Sequence, residues 1–112
     1  MREARCKATD IDLFEIDGLT LYDEAIGLEA IGLAKPGAGL DALAGNEHCN
    51  PSGGGAAGYC APAMGLVRIV ESVLQIQGRA GSNQVGSPRR ALATGSSVVA
   101  GQTQTAVILE AA

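Results

Sequence analysis

Apolar and polar positions change period several times along the chain, and each change marks an element. Between Asp10 and Ile16, Ile11, Leu13 and Ile16 are apolar and Asp12 and Glu15 are not, which predicts a short strand. Thr20 follows, with Asp23 three residues on. A threonine oxygen can accept an orphan amide hydrogen bond while the carboxylate reaches back to the cap, so this pair predicts a helix start. From Leu21 to about Ala34 the apolar residues fall in two adjacent rows, Leu21, Ala25 and Leu28 beside Tyr22, Ile26, Ala30 and Leu33. Lys35-Pro36-Gly37 is expected to end that helix, because proline cannot continue the hydrogen-bond ladder and disfavours helix in the residue before it.

Residues 37 to 58 show little period. The run Asn50-Pro51-Ser52-Gly53-Gly54-Gly55-Ala56-Ala57-Gly58 is rich in turn formers, so the stretch reads as loop at least in part. A second helix is predicted from about Ala63 to Gln77, with Pro62 suited to its first position and Gly78 to its C-terminal cap. Leu66, Val67, Ile69, Val70, Val73, Leu74 and Ile76 cover most of its circumference and leave Arg68, Glu71, Ser72 and Gln75 as a narrow polar stripe. That stripe reads as a solvated or interfacial face and the rest as buried on more than one side, beneath a second layer or a partner chain. Ala91–Thr94 predicts a short strand, Gly95-Ser96-Ser97 a turn and Thr103–Glu110 the closing strand. The layout is α/β with few strands for so apolar a helix, which points to missing neighbours.

Composition narrows the function classes. A length of 112 residues fits one domain, read as residues 10–112 behind a tail at 1–9. The net charge of −4 lacks the Lys/Arg surplus that phosphate neutralisation needs, so charge disfavours nucleic acid as a partner. No stretch reaches the roughly 18 apolar residues of a membrane span, and no apolar run follows the charged start, so neither membrane insertion nor a secretory signal is expected. Cys6, Cys49 and Cys60 are odd in number and irregularly spaced, which fits free thiols in the cytoplasm better than a disulfide framework. With no Cys-x-x-Cys pair near His48, no metal site is expected, and His48 reads as a solvated loop residue. The Gly-rich segment could present amides to an anion at a helix start, but it has neither a Walker lysine nor Gly-x-Gly-x-x-Gly after a strand.

Asn50-Pro51-Ser52-Gly53-Gly54, then Gly58-Tyr59 and the helix Gly65-Leu66-Val67-Arg68-Ile69-Val70-Glu71, resembles the C-terminal half of the thiolase superfamily. Asp12–Ile16, Leu28–Leu33, Arg90–Ala93 and Ala106–Leu109 are similar to that family's flanking strands and helix, in the same order. The resemblance implies a partial αβαβα C-terminal domain with one central buried helix. It also implies an acyl-CoA substrate, no further cofactor, dimerisation, and a site completed by a thiolase N-terminal half or a second thiolase-like chain. Tyr59 stands where the family has its histidine, and Asp17 falls where many members hold a catalytic water. Ser52, Gly53, Gly54 and Gly58 become the expected substrate-binding turn. The family's acyl-carrying cysteine has no counterpart here, and Ser96 and Ser97 are the nearest polar residues to its second cysteine, with no base close in sequence. Steroid side-chain aldolases of the superfamily are similar in using tyrosines, beside an OB-fold partner. There a phenol moves a proton when neighbouring dipoles stabilise its charged form, and turn amides could stabilise an enolate.

Plainer readings stand beside these. Tyr59 could only pack its turn, Asp17-Gly18 is also a common turn dipeptide, and Cys60 could be a small buried thiol. At the level of the whole chain the alternatives are an acid/base half-enzyme, a non-catalytic interaction or scaffold remnant of a thiolase, and a gene fragment.

Overall fold

The computed structural model describes residues 5–97 and 103–112. Strand β1 is Leu13–Glu15, β2 is Arg90–Ser96 and β3 is Gln104–Glu110. They form a three-stranded mixed sheet in the order β1-β2-β3, with β1 parallel to β2 and β2 antiparallel to β3. Phe14, Leu92 and Ile108 stand in one row across it, and Leu13, Ala91 and Leu109 in the next. Residues 48–50 extend the sheet past β1: Phe14 N–H donates to the His48 carbonyl at 2.9 Å and Asn50 N–H to the Phe14 carbonyl at 2.7 Å. The central part of β1 is buried at every residue, Glu15 included, so it does not follow the half-exposed alternation expected of it. The strand expected at Ala91–Thr94 is longer, and Gly95 and Ser96 belong to it rather than to a turn.

Helix α1, Leu21–Ile31, begins as its cap predicts. Thr20 Oγ1 accepts the Asp23 amide at 3.2 Å, and Asp23 Oδ2 accepts the Thr20 amide at 3.0 Å. The Thr20 hydroxyl, donating to Asp23 Oδ2 at 2.9 Å, and then the amides of Thr20 and Leu19 hold the Asp23 carboxyl below the usual carboxylate range. The helix ends earlier than Pro36 suggests, at Gly32, whose φ of 85° turns the chain left-handed at little steric cost. Its buried residues are Glu24, Ala25 and Leu28, while Leu21, Tyr22 and Ile26 are exposed. The region read as loop at least in part also holds two short helices, α2 at Gly39–Leu43 and α3 at Gly54–Ala57. Leu28 joins Ile11, Phe14, Ile16, Cys49 and Leu92 in one core, with Leu43 and Ile108 packed against it. Full burial of a leucine such as Leu28 is worth about 1.5–3 kcal/mol.

Helix α4, Met64–Ile76, packs across all three strands on the other side of the sheet. Alternation along the strands sends Leu13, Glu15, Ala91 and Ala93 that way, and small residues let the helix come close. A Cβ on Gly95 would lie 3.3 Å from the Gly65 Cα. The facing of α4 corrects the sequence reading. Arg68, Ser72 and Gln75 are its buried residues, at 1%, 0% and 0% exposure, whereas Leu66, Val67 and Val70 are exposed at 64%, 46% and 50%. The polar stripe turns inward because groups beyond the helix meet Arg68 and Gln75. Gln75 Nε2 donates to the Asn83 carbonyl at 2.6 Å, and Gln75 Oε1 accepts the Val85 amide at 3.0 Å. Pro62 sits in a 3-10 turn, Ala61–Ala63, that leads into the helix. Covered on one side only, α4 leaves an apolar ridge outward. No described helix is long and apolar enough to cross a membrane.

Candidate functional site

A cleft of about 650 Å³ opens where β1 and β2 end. Because these strands are parallel, both C-terminal ends reach the same rim, where α/β sheets commonly bind ligands. Ile16, Ile26, Ala30 and Ile31 make much of an apolar wall; Asp17, Thr94, Ser96 and Tyr59 bring polar groups to the rim. Asp17 and Tyr59, singled out from sequence as candidate catalytic residues, therefore line one cavity. Tyr59 is 47% exposed there, between α3 and the turn that opens α4.

Asp17 is fixed from several directions. Its amide donates to Thr94 Oγ1 at 2.6 Å, Oδ2 accepts the Ser96 hydroxyl, and Oδ1 lies 3.0 Å from Arg68 Nη2. Arg68 also donates from Nε to the Ile16 carbonyl at 3.2 Å. Among the described residues its Nη1 has no hydrogen-bond acceptor. Asp17 is thus the counter-charge of a guanidinium that α4 carries into the interior, where an unpaired charge would be costly. Ser96, which has no base nearby in sequence, meets the carboxylate of a residue 79 positions away. A Thr-x-Ser pair at the end of a strand parallel to the one that Asp17 follows is the available sequence signal for this cluster. The remainder of the stretch from Gly95 to Gly101 proposed for the family's second cysteine includes residues outside the described ones.

The other expected site residues lie behind the cleft rather than along it. Ser52 donates its amide to Glu15 Oε1 at 3.1 Å and its hydroxyl to Glu15 Oε2 at 2.7 Å. Gly53 has a φ of 89°, Gly54 is buried and Gly58 exposed. A Cβ on Gly54 would lie 2.7 Å from Glu24 Oε1 and 3.0 Å from Asn50 Nδ2. Asn50 itself, left-handed with a φ of 51°, accepts the Ile16 amide on Oδ1 at 2.6 Å, which ties the Gly-rich turn to the strand end beside Asp17. Burial pushes the Glu15 carboxyl up, against the hydrogen bonds from Ser52, and pushes Glu24 up against its contact with Asn50. The same burial and the two nearby carboxyls push the Cys49 thiol up to about 12. Cys60 is exposed rather than buried. His48 is half-buried, with Nε2 4.0 Å from Glu47 Oε1. Among the described residues no group of three or more His, Cys, Asp or Glu side chains is placed to hold a metal ion.

A small mixed sheet flanked by helices, with its cleft at the strand ends and a Gly-rich turn feeding a helix, defines a partial thiolase-like C-terminal domain. The chain matches the thiolase C-terminal domain-like family over residues 1–111 and belongs to it. It is 35% identical over 99 residues to sterol carrier protein 2 of Gallus gallus, an alignment covering 81% of this chain and 18% of that protein. The chain therefore spans less than a fifth of the length of the relative it matches.

Proposed function

We propose that the chain supplies the acid/base side of a site that makes or breaks a carbon–carbon bond in an acyl-CoA. A thiolase N-terminal half, or a second thiolase-like chain lying outside these 112 residues, completes the site. The observation that carries this reading is the shared cleft, in which Asp17 and Tyr59 face one cavity whose apolar wall suits an acyl chain. The outward ridge of Leu66, Val67 and Val70 on α4 supports the second half of it, since a contiguous apolar patch at this position suits a protein partner. The cytoplasm is the site of action that goes with this reading.

The steroid-aldolase form of the reading assigns Tyr59 the proton transfer. On a β-hydroxyacyl-CoA, Tyr59 Oη takes the hydroxyl proton as the carbon–carbon bond breaks. The bonding pair passes into the thioester enolate, which regains a proton to leave a carbonyl compound and a shortened acyl-CoA. Asp17 orients the reacting end as a fixed acceptor, Ser52, Gly53, Gly54 and Gly58 hold the turn that carries Tyr59 to the cleft, and an OB-fold protein is the further partner. The test is co-expression of the chain with a thiolase-like first half, with and without an OB-fold protein. Turnover of β-hydroxyacyl-CoA is then followed by chromatography of the products. Tyr59→Phe should lower kcat by about a hundredfold or more, the scale of a lost general acid or base; undiminished turnover removes Tyr59 from the mechanism. The same ridge on α4 favours one second reading, a non-catalytic scaffold, for which the complex assembles and no acyl-CoA is consumed.

A further inference from the structure

We infer that the cleft recognises its acyl chain by a hydroxyl group, and that Ser96, oriented by a relay from Arg68 through Asp17, is the residue that reads it. The inference rests on the acyl-thioester reading of the same cleft. A serine hydroxyl has one proton to give and two lone pairs to receive with. The Ser96 proton is committed to Asp17 Oδ2. An ionised carboxylate has no donor of its own, so the direction of that bond is set. Ser96 thus lines the cleft as an acceptor.

Asp17 has little freedom to release that proton's acceptor site. Its other oxygen lies 3.0 Å from the guanidinium of Arg68, which is 1% exposed, and its amide is bonded to Thr94. Moving the carboxylate would strip a buried cation of its counter-charge. Successive bonds in such a chain polarise one another and strengthen the acceptor at its end. The charged side chains among the cleft-lining residues are the carboxylates of Asp17 and Asp23, so the rim favours a group that donates. In the bound state a substrate hydroxyl can rest its proton on Ser96 Oγ, and turns it to Tyr59 only for the transfer. A ketone oxygen at the same place would set lone pair against lone pair, and a saturated chain would offer the acceptor no donor. Sites built to bond a hydroxyl reject analogues lacking it more strongly than apolar walls reject a methylene.

The test measures binding by calorimetry to the chain assembled with a co-expressed thiolase-like first half, with three pantetheine thioesters: 3-hydroxyoctanoyl, 3-oxooctanoyl and octanoyl. The hydroxy compound is expected to bind roughly tenfold or more tightly than either other one, the effect of a hydrogen bond to a charge-linked group. Ser96→Ala, at an exposed position near the end of a strand, should bring the ratio down to within about twofold, and Ser96→Thr, which keeps the hydroxyl, should restore most of it. Equal binding of the three thioesters, or an undiminished ratio in Ser96→Ala, overturns the proposal and leaves the acyl-thioester reading standing. Failure of all three to bind overturns both.

Discussion

Replacing Arg68 by methionine removes the cation that Asp17 balances while keeping most of the side-chain volume. Breaking a buried ion pair from one side costs about 3–5 kcal/mol, because the surviving charge is left without its partner. Asp17 retains 17% side-chain exposure at the cleft, so water can repay part of that cost and the lower end applies, about 3 kcal/mol. For a domain of this size that is a fall in Tm of roughly 12 to 18 °C. The double variant Arg68→Met/Asp17→Asn has neither charge and should recover more than half of the loss. A double-mutant cycle on urea unfolding followed by far-UV circular dichroism reads the coupling directly. An Arg68→Met variant within about 1 kcal/mol of the parent would refute the assignment of Arg68 as a buried, charge-paired side chain, as would strict additivity with Asp17→Asn.

Two further outcomes follow from the buried groups. Burial raises the carboxyls of Glu15 and Glu24 above their ordinary value of 4.5, so each binds its proton more tightly in the folded chain than in the unfolded one. Their contribution to stability is then greatest below about 4.5 and declines as pH rises through the raised values. Relative to the parent, Glu15→Gln should gain stability between about pH 5 and pH 7.5, and parallel urea midpoints across that range would show that Glu15 carries no such penalty. Thiol labelling at about pH 8 should modify exposed Cys60 while Cys49, buried and pushed up to about 12, reacts only on unfolding. Equal labelling rates in the native chain would contradict that burial.

Local signals were the legible ones. The Thr20–Asp23 capping box, the strand around Leu13, the span of α4 and the closing strand follow from period and cap chemistry, which neighbouring residues decide. Gly32 ended α1 before Pro36 could, because a left-handed glycine and a proline a few residues on are both adequate stops and the first one met prevails. The short helices α2 and α3 were hidden by their length, too few residues to show a period. The facing of α4 was illegible for a different reason. Arg68 and Gln75 look like surface residues until Ile16, Asp17, Asn83 and Val85 arrive as partners, and the two partners of Arg68 are brought near by the fold, not by sequence. The cleft divides the same way: Asp17 and Tyr59 stood out as chemistry-bearing residues, whereas the pairing of Ser96 with Asp17 needed the parallel strand ends.

The crossing of α4 over β2 at Gly65 and Gly95 places two main chains together with no side chain between them. Side chains at such crossings act as cushions, since rotamers can give way; here there is nothing to give. Load placed on the outer ridge of the helix is therefore transmitted to the strand with little slack, one residue from Ser96 and through the same helix that anchors Asp17 by Arg68. A displacement of α4 by anything seated on its outer ridge would thus reach the polar groups at the mouth of the cleft with little attenuation.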